Sequence, residues 1–85
     1  MKLMEGVVRT TIESRDVLLN GRTGQYFELN AVASDILAGL TQGLRDQQIA
    51  VDLQGKYGVS MEHAISDISK FVLELASRKL LRPRA

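Results

Sequence analysis

The sequence predicts an α+β domain in which a three-stranded antiparallel sheet is followed by three helices. Before residue 30, β-branched and aromatic residues cluster with turn residues, whereas after it apolar residues recur at helical spacing. The segment 20–24, Asn-Gly-Arg-Thr-Gly, supplies residues that adopt positive φ angles at low cost, as a tight hairpin turn requires. Because 85 residues suffice for one small domain, we expect a single domain over residues 1–85 with a core from about 7 to 81.

The first part of the chain contains three segments with the composition of β-strands. We predict them over residues 7–12, 16–20 and 25–29. Successive side chains of a strand point to opposite faces, so Phe27 and Leu29 share one face of the third strand. The hairpin turn joins the second and third strands directly, and the three strands therefore form a meander.

The rest of the chain contains three amphipathic helical segments. The first is predicted over 31–40 with Asn30 as its N-cap, and the second over 46–57. The third and longest helix has Ser60 as its N-cap and is predicted over about 61–79. It is long enough to lie along the sheet, in the arrangement of a winged helix-turn-helix whose strands come first.

The end of the chain is rich in basic residues. No acidic residue occurs among the last eight positions, which include Arg78, Lys79, Arg82 and Arg84. We interpret these residues as the frayed, solvated end of the third helix, although their charge could also contact phosphate. Pro83 is expected to end any regular structure.

The residue inventory excludes most kinds of catalysis and metal binding. The chain has no cysteine and one histidine, His63, which excludes a thiol nucleophile, a zinc–thiolate site and a multi-histidine metal site. His63 is predicted on an exposed helical turn, and Glu62 and Asp67 do not share a helix face as a carboxylate pair would. We therefore expect no enzyme activity, no catalytic residue, no metal and no cofactor.

Charge and hydropathy limit the partners. The net charge is +1, which argues against a general nucleic-acid partner. Nothing approaches 18 consecutive apolar residues, and residues 1–6 are too short and too polar for a signal peptide. We expect a cytoplasmic protein that binds neither nucleic acid nor membranes.

The third strand lacks the residues that usually protect the edge of a sheet. Residues 25–29, Gln-Tyr-Phe-Glu-Leu, contain no proline, no lysine and only one charge. An extended peptide can add to such an edge as a further strand. The third helix is expected beside this edge, and its outer flank carries Ala64, Asp67, Ile68 and Phe71. Strand and helix would form a shallow apolar groove, although its apolar side chains could also be core residues.

The run 18–30, Leu-Leu-Asn-Gly-Arg-Thr-Gly-Gln-Tyr-Phe-Glu-Leu-Asn, resembles the strand–turn–strand signature of the PqqD-like family, which ends in Tyr-Phe-x-Leu-Asn. Further matching positions follow in the family's order: Ile49, Ala50, Leu53, Tyr57, Gly58, Val59, Ala64, Asp67, Ile68, Phe71, Leu75, Leu80 and Leu81. The resemblance covers roughly residues 15–81. One position departs from it, because Arg45 precedes the second helix where the family usually has a Thr or Ser cap.

This resemblance implies a precursor-peptide recognition element for ribosomally made, modified peptides. Members of the family bind the leader of the precursor as an added strand on the third strand, against the third helix. Residue by residue, that site falls on Tyr26, Phe27, Glu28, Leu29, Ala64, Asp67, Ile68 and Phe71. Together with Gln25 at the start of the unprotected edge, these are the expected peptide-binding residues.

The size of the chain resembles the leader-binding half of a split lasso-peptide B protein. That branch implies two enzyme partners, a cysteine protease that acts as the leader peptidase and an ATP-dependent cyclase. The alternative branch is the pyrroloquinoline quinone chaperone, which presents its precursor peptide to a radical enzyme. A small winged-helix DNA-binding protein and a purely structural subunit are further alternatives.

Overall fold

A computed structural model describes residues 1–82, and the expectations for Pro83 and Arg84 lie outside this part of the chain. Its elements are, in order, β1 Lys2–Leu3, β2 Val7–Ile12, β3 Arg15–Asn20, β4 Tyr26–Leu29, α1 Ala31–Thr41, α2 Asp46–Tyr57, α3 Met61–Ser77 and β5 Leu81–Arg82. The predicted order of three sheet strands followed by three helices is confirmed. Two short strands, β1 and β5, are added to it.

Strands β2, β3 and β4 form an antiparallel sheet in that order, so β2 and β4 are its edges. The predicted hairpin joins β3 to β4: the Asn20 Oδ1 accepts a hydrogen bond from the Arg22 backbone N–H at 2.9 Å, and Gly24 has a φ of +76°. A second hairpin joins β2 to β3 through Glu13 and Ser14, which have φ angles of +51° and +68°. Positive φ at both central residues matches the twist of two paired strands.

Polar side chains fix the starts of the helices. The predicted caps Asn30 and Ser60 accept hydrogen bonds from backbone N–H groups three residues ahead, at 2.8 and 3.1 Å. At the start of α2, the Arg45 backbone N–H donates to the Gln48 side chain at 2.8 Å, so an amide oxygen supplies a capping contact there. Helix α3 ends at Ser77, two residues before its predicted end.

One cluster of buried apolar side chains joins the sheet and the helices. It extends from Val7 to Leu81 and includes side chains from all three helices. Helices α1 and α2 approach closely at Gly39, where a Cβ atom would lie 2.7 Å from the Ile49 Cγ1. The three fully buried side chains of α3 lie on one face of that helix: Ala64, Ile68 and Leu75. This face fixes α3 in position relative to the sheet.

The interpretation of the chain's end as a frayed helix terminus is wrong as far as Arg82, although the basic side chains Arg78, Lys79 and Arg82 are exposed as expected. Leu80 and Leu81 are buried, and Leu81–Arg82 pairs antiparallel with Lys2–Leu3. The Met4 backbone N–H donates to the Leu80 carbonyl at 3.0 Å. Two-residue strands are too short for alternation to appear in the sequence, which is why no pattern predicted this ribbon.

Candidate functional site

The outer edge of β4 is free in residues 1–82, because no other strand in this part of the chain pairs with it. The Asn20 backbone N–H donates to the Gln25 carbonyl at 2.9 Å, whereas the Asn20 carbonyl accepts from the Gly24 N–H at 2.8 Å, so Asn20 and Gln25 form the hydrogen-bonded type of pair through one bond. Such pairs alternate with non-bonded pairs along antiparallel strands. The register therefore turns the N–H and C=O of Phe27 toward β3 and those of Tyr26 and Glu28 away from it. Two donors and two acceptors face outward, in the spacing that an added strand needs.

Phe27 connects this edge to α3. Its ring meets the Phe71 ring edge-on, with centroids 6.5 Å apart and planes at 65°. The Arg78 guanidinium lies over the Phe27 ring, 5.1 Å from its centroid. Phe71 and Arg78, the residue that caps the C-terminus of α3, are seven residues apart, so the last turns of the helix up to its cap face β4. A groove between β4 and α3 thus has an aromatic floor.

Polar and charged side chains lie on either side of Phe71 along one face of α3. The His63 Nε2 is 3.2 Å from the Asp67 Oδ2, on the N-terminal side. On the C-terminal side, the Arg78 Nε and Nη2 are each 3.1 Å from the Glu74 Oε1. These positions are three or four residues apart, which places them on one face of the helix. The face is polar at both ends and aromatic at its centre.

The expected peptide-binding residues divide into two groups. Leu29, Ala64 and Ile68 are 5%, 0% and 0% exposed and belong to the core. The expectation that Ala64 and Ile68 lie on the outer flank of α3 is therefore wrong, because a helical stripe does not reveal which of its sides meets the sheet. The other six keep exposed surface along β4 or α3: Gln25, Tyr26, Phe27, Glu28, Asp67 and Phe71. The buried three can support the groove from beneath.

Two residues at one end of the groove were not predicted. Arg78 and Leu80 line a cavity of about 300 Å³ together with residues 24–27. The available signal for Arg78 was its spacing of seven residues from Phe71, which repeats the same helix face. No comparable signal marks Leu80, because its position depends on the β1–β5 ribbon.

Asp16, near the start of β3, links the sheet to α1. It lies opposite Leu29 in the sheet register. A hydrogen bond from the Arg9 guanidinium is the main cause that lowers the pKa of Asp16, and the Ser34 hydroxyl, 2.8 Å from the same carboxylate, lowers it further. The same contact raises the pKa of Arg9. Sheet and helix are therefore held together where β4 runs into α1.

The groove offers backbone hydrogen-bonding groups and apolar surface. Between residues 1 and 82, no group of three or more His, Cys, Asp or Glu side chains could hold a metal ion. None of the helices in this range has the length and apolar character to cross a membrane. The arrangement suits an extended chain, whose backbone would pair with β4 while its side chains contact α3.

A family model described as coenzyme PQQ synthesis protein D (PqqD) matches residues 16–81 of the chain. The matched range starts in β3 and ends at the first residue of β5. It therefore includes both walls of the groove, β4 and α3. No curated protein sequence matches the chain.

Two solved structures are similar to the chain over nearly its whole length. In a complex of TbiB1 with the TbiA(beta) leader peptide, the protein is 35% identical, with a TM-score of 0.84 and coverage of 100% of this chain and 99% of that one. A lasso peptide synthetase B1 complexed with the leader peptide is 29% identical, with a TM-score of 0.90 and coverage of 96% of both chains. Each of these relatives was solved with a leader peptide bound.

Proposed function

The chain belongs to the PqqD family, and we propose that it binds the leader of a ribosomal precursor peptide in lasso-peptide biosynthesis, without catalysing a reaction itself. The free edge of β4 beside α3 is the observation that carries this proposal. Two leader-peptide complexes with the same fold, similar over at least 96% of this chain, support it.

In the proposed complex the leader is a fourth strand of the sheet. Its backbone pairs with the outward N–H and C=O groups of Tyr26 and Glu28. Alternate side chains of the added strand then point toward α3, because successive residues of a strand face opposite sides. There they meet the rings of Phe27 and Phe71, with Asp67 at the rim. Gln25 and Leu29 mark the ends of the paired segment, and Ala64 and Ile68 hold α3 behind it.

A protein that binds the precursor peptide without modifying it needs separate enzymes to process that precursor. We therefore propose a leader peptidase of the cysteine protease class as a partner, and an ATP-dependent cyclase as a second. The name lasso peptide synthetase B1, carried by one similar protein, supports this assignment. Because precursor peptides are ribosomal products, the proposed place of action is the cytoplasm.

The family model's description favours a second candidate, coenzyme PQQ synthesis, in which the chain would present its precursor to a radical enzyme. The leader-bound relatives make the lasso assignment the better supported of the two. Neighbouring genes distinguish them. A short precursor reading frame beside a transglutaminase-like peptidase and an asparagine-synthetase-like cyclase indicates the lasso pathway, whereas a quinone-cofactor operon indicates the other.

Titration calorimetry with the TbiA(beta) leader peptide tests the proposal. We expect a Kd from nanomolar to low micromolar, which corresponds to about −8 to −12 kcal/mol. Ordering a flexible leader costs about 2–5 kcal/mol of the gross contact energy, and this limits the affinity. A peptide of the same composition in scrambled order is the control. Millimolar binding, or equal binding of the scrambled peptide, would contradict leader recognition.

A further inference from the structure

One end of the groove offers a binding position that backbone pairing does not use. The turn before β4 and the chain after α3 enclose the cavity of about 300 Å³, which is lined by Gly24, Gln25, Tyr26, Phe27, Arg78 and Leu80. Arg78 is the one charged residue among these six. A peptide side chain that enters the cavity therefore meets a cation beside apolar surface.

The Arg78 side chain is positioned by two neighbours and still has donors to offer. Phe27 lies under its guanidinium, and the Glu74 Oε1 accepts from its Nε and Nη2 edge at 3.1 Å. An arginine carries five donors in a planar fork, so the end-on edge formed by Nη1 and Nη2 can bind a second carboxylate. Glu74 is the only residue between 1 and 82 that forms an ion pair with Arg78, whose side chain is 54% exposed.

Charge varies along the groove. Asp67 precedes Arg78 by eleven residues, or about 16 Å along the helix axis. Lys79 and Arg82 follow Arg78 in the chain with no acidic residue between them, and Glu74 pairs with Arg78. The groove therefore carries the Arg78 guanidinium at the end near the β3–β4 turn and the Asp67 carboxylate, with His63 and Lys70 close to it in α3, toward the other end.

We infer that the peptide bound at β4 carries an aspartate or glutamate that pairs with Arg78 at the end near the β3–β4 turn. The inference rests on the proposed function and specifies the class of peptide. A carboxylate fits the Nη1 and Nη2 edge through two parallel charge-assisted hydrogen bonds. The carboxylate of Asp67 disfavours a second acidic residue at the opposite end. Arg78 and Asp67 together thus select the direction in which the peptide lies.

Selection from a display library of random twelve-residue peptides tests this inference even while the sequence of the natural leader is unknown. The wild-type protein is expected to enrich peptides that have Asp or Glu at a fixed distance from their apolar residues. Arg78→Gln is expected to lose this acidic preference. Lys70→Gln is the matched control, because it removes the same charge from an exposed position of α3 outside the cavity.

Titration of one selected peptide and its amide counterpart, with Asn or Gln in place of the acid, gives the magnitude. The amide change is expected to weaken binding to the wild type about tenfold, and to have no effect on binding to Arg78→Gln. Glu74→Gln removes the negative charge that competes for Arg78 and is expected to strengthen binding of the acidic peptide. A purely structural role of this pair would not produce opposite effects from its two members.

Each outcome decides the inference. Selected peptides without an acidic preference, or equal loss of both peptides in Arg78→Gln, would overturn it and leave the proposed function standing. Failure of the wild type to retain any peptide would overturn both. Thermal unfolding shows whether Arg78→Gln folds. If it does not, binding of the acidic peptide and of its amide counterpart is compared on the wild type, Arg78→Lys and Glu74→Gln, and this comparison decides the inference.

Discussion

Asp67 is a polar residue of the groove whose role one substitution can isolate. Its carboxylate pairs with the His63 imidazole at 3.2 Å, and its side chain is 39% exposed. An exposed side-chain contact of this kind contributes at most about 1 kcal/mol to folding. A binding defect after its removal would therefore report a contact with the ligand rather than a damaged fold.

We predict that Asp67→Ala weakens binding of the TbiA(beta) leader peptide about tenfold or more and leaves Tm nearly unchanged. A charge-assisted hydrogen bond contributes roughly 1.5–3 kcal/mol, which is sufficient for this loss. Calorimetry and thermal unfolding measure the two quantities. His63→Ala removes the partner but retains the carboxylate, and we expect it to bind like the wild type. Normal binding by Asp67→Ala would place Asp67 outside the site.

At the scale of single residues, the sequence predicted the strand side of the groove better than the helix side. Alternation along residues 25–29 placed Phe27 and Leu29 on one face; Leu29 is buried and Phe27 contacts Phe71, so both lie on the side of α3. Helical periodicity gives a stripe about 100° wide, and it does not tell which border of that stripe is covered. Ile68, which both the helical stripe and the resemblance placed at the groove, is fully buried, and Arg78 is exposed as expected but also lies over the Phe27 ring.

Helices α1 and α2 are joined by a polar contact at Asp35. The Tyr57 hydroxyl donates to the Asp35 Oδ2, and the Lys56 Nζ lies 3.0 Å from the same oxygen. The hydrogen bond from Tyr57, followed by that from Lys56, lowers the pKa of Asp35, and the carboxylate in turn raises the pKa of Tyr57. Neither helix forms a wall of the groove, so this contact affects stability separately from binding.

The lowered pKa of Asp35 predicts how stability changes with pH. The folded state favours the ionised carboxylate, so this stabilisation is present above the unfolded-state pKa of about 3.9 and is lost as the pH falls through the lower folded-state pKa. The Asp35 side chain is 34% exposed, and solvent screening limits its contribution to about 1 kcal/mol.

We therefore predict that Asp35→Asn lowers the free energy of unfolding by about 1 kcal/mol at pH 7. The difference from the wild type should begin to shrink as the pH falls below about 4, where Asp35 of the unfolded wild type becomes neutral, and should disappear below the lower pKa of the folded state. Urea unfolding of both proteins at several pH values measures this. A difference that stays constant down to pH 3 would show that the charge of Asp35 is not its cause.

At the scale of elements, local chemistry made most boundaries predictable. The caps Asn30 and Ser60 fixed two helix starts, and α2 begins and ends at the predicted residues. The β1–β5 ribbon was not predictable, because it joins the two ends of the chain through tertiary packing of Leu80 and Leu81. The same ribbon directs the chain after α3 back past the groove.

In the whole molecule, one hydrophobic core connects the two walls of the groove, β4 and α3. Both the sheet and α3 contribute to the same buried cluster, which includes Leu18 and Leu29 on one side and Ile68 and Leu75 on the other. A peptide that adds to β4 therefore meets a helix already fixed in place, and it need not order the protein as it binds. This arrangement favours a mainly rigid site for a flexible ligand.

Residue-resolved amide hydrogen exchange, with and without the TbiA(beta) leader peptide, tests strand addition most directly. The N–H groups of Tyr26 and Glu28 face outward, so the bound peptide should raise their protection strongly. Those of Phe27 and Leu29 already face β3 and should change much less. An alternating increase along β4 is the predicted result. Saturating peptide that leaves Tyr26 and Glu28 unchanged, or protects only α2, would contradict binding at this edge.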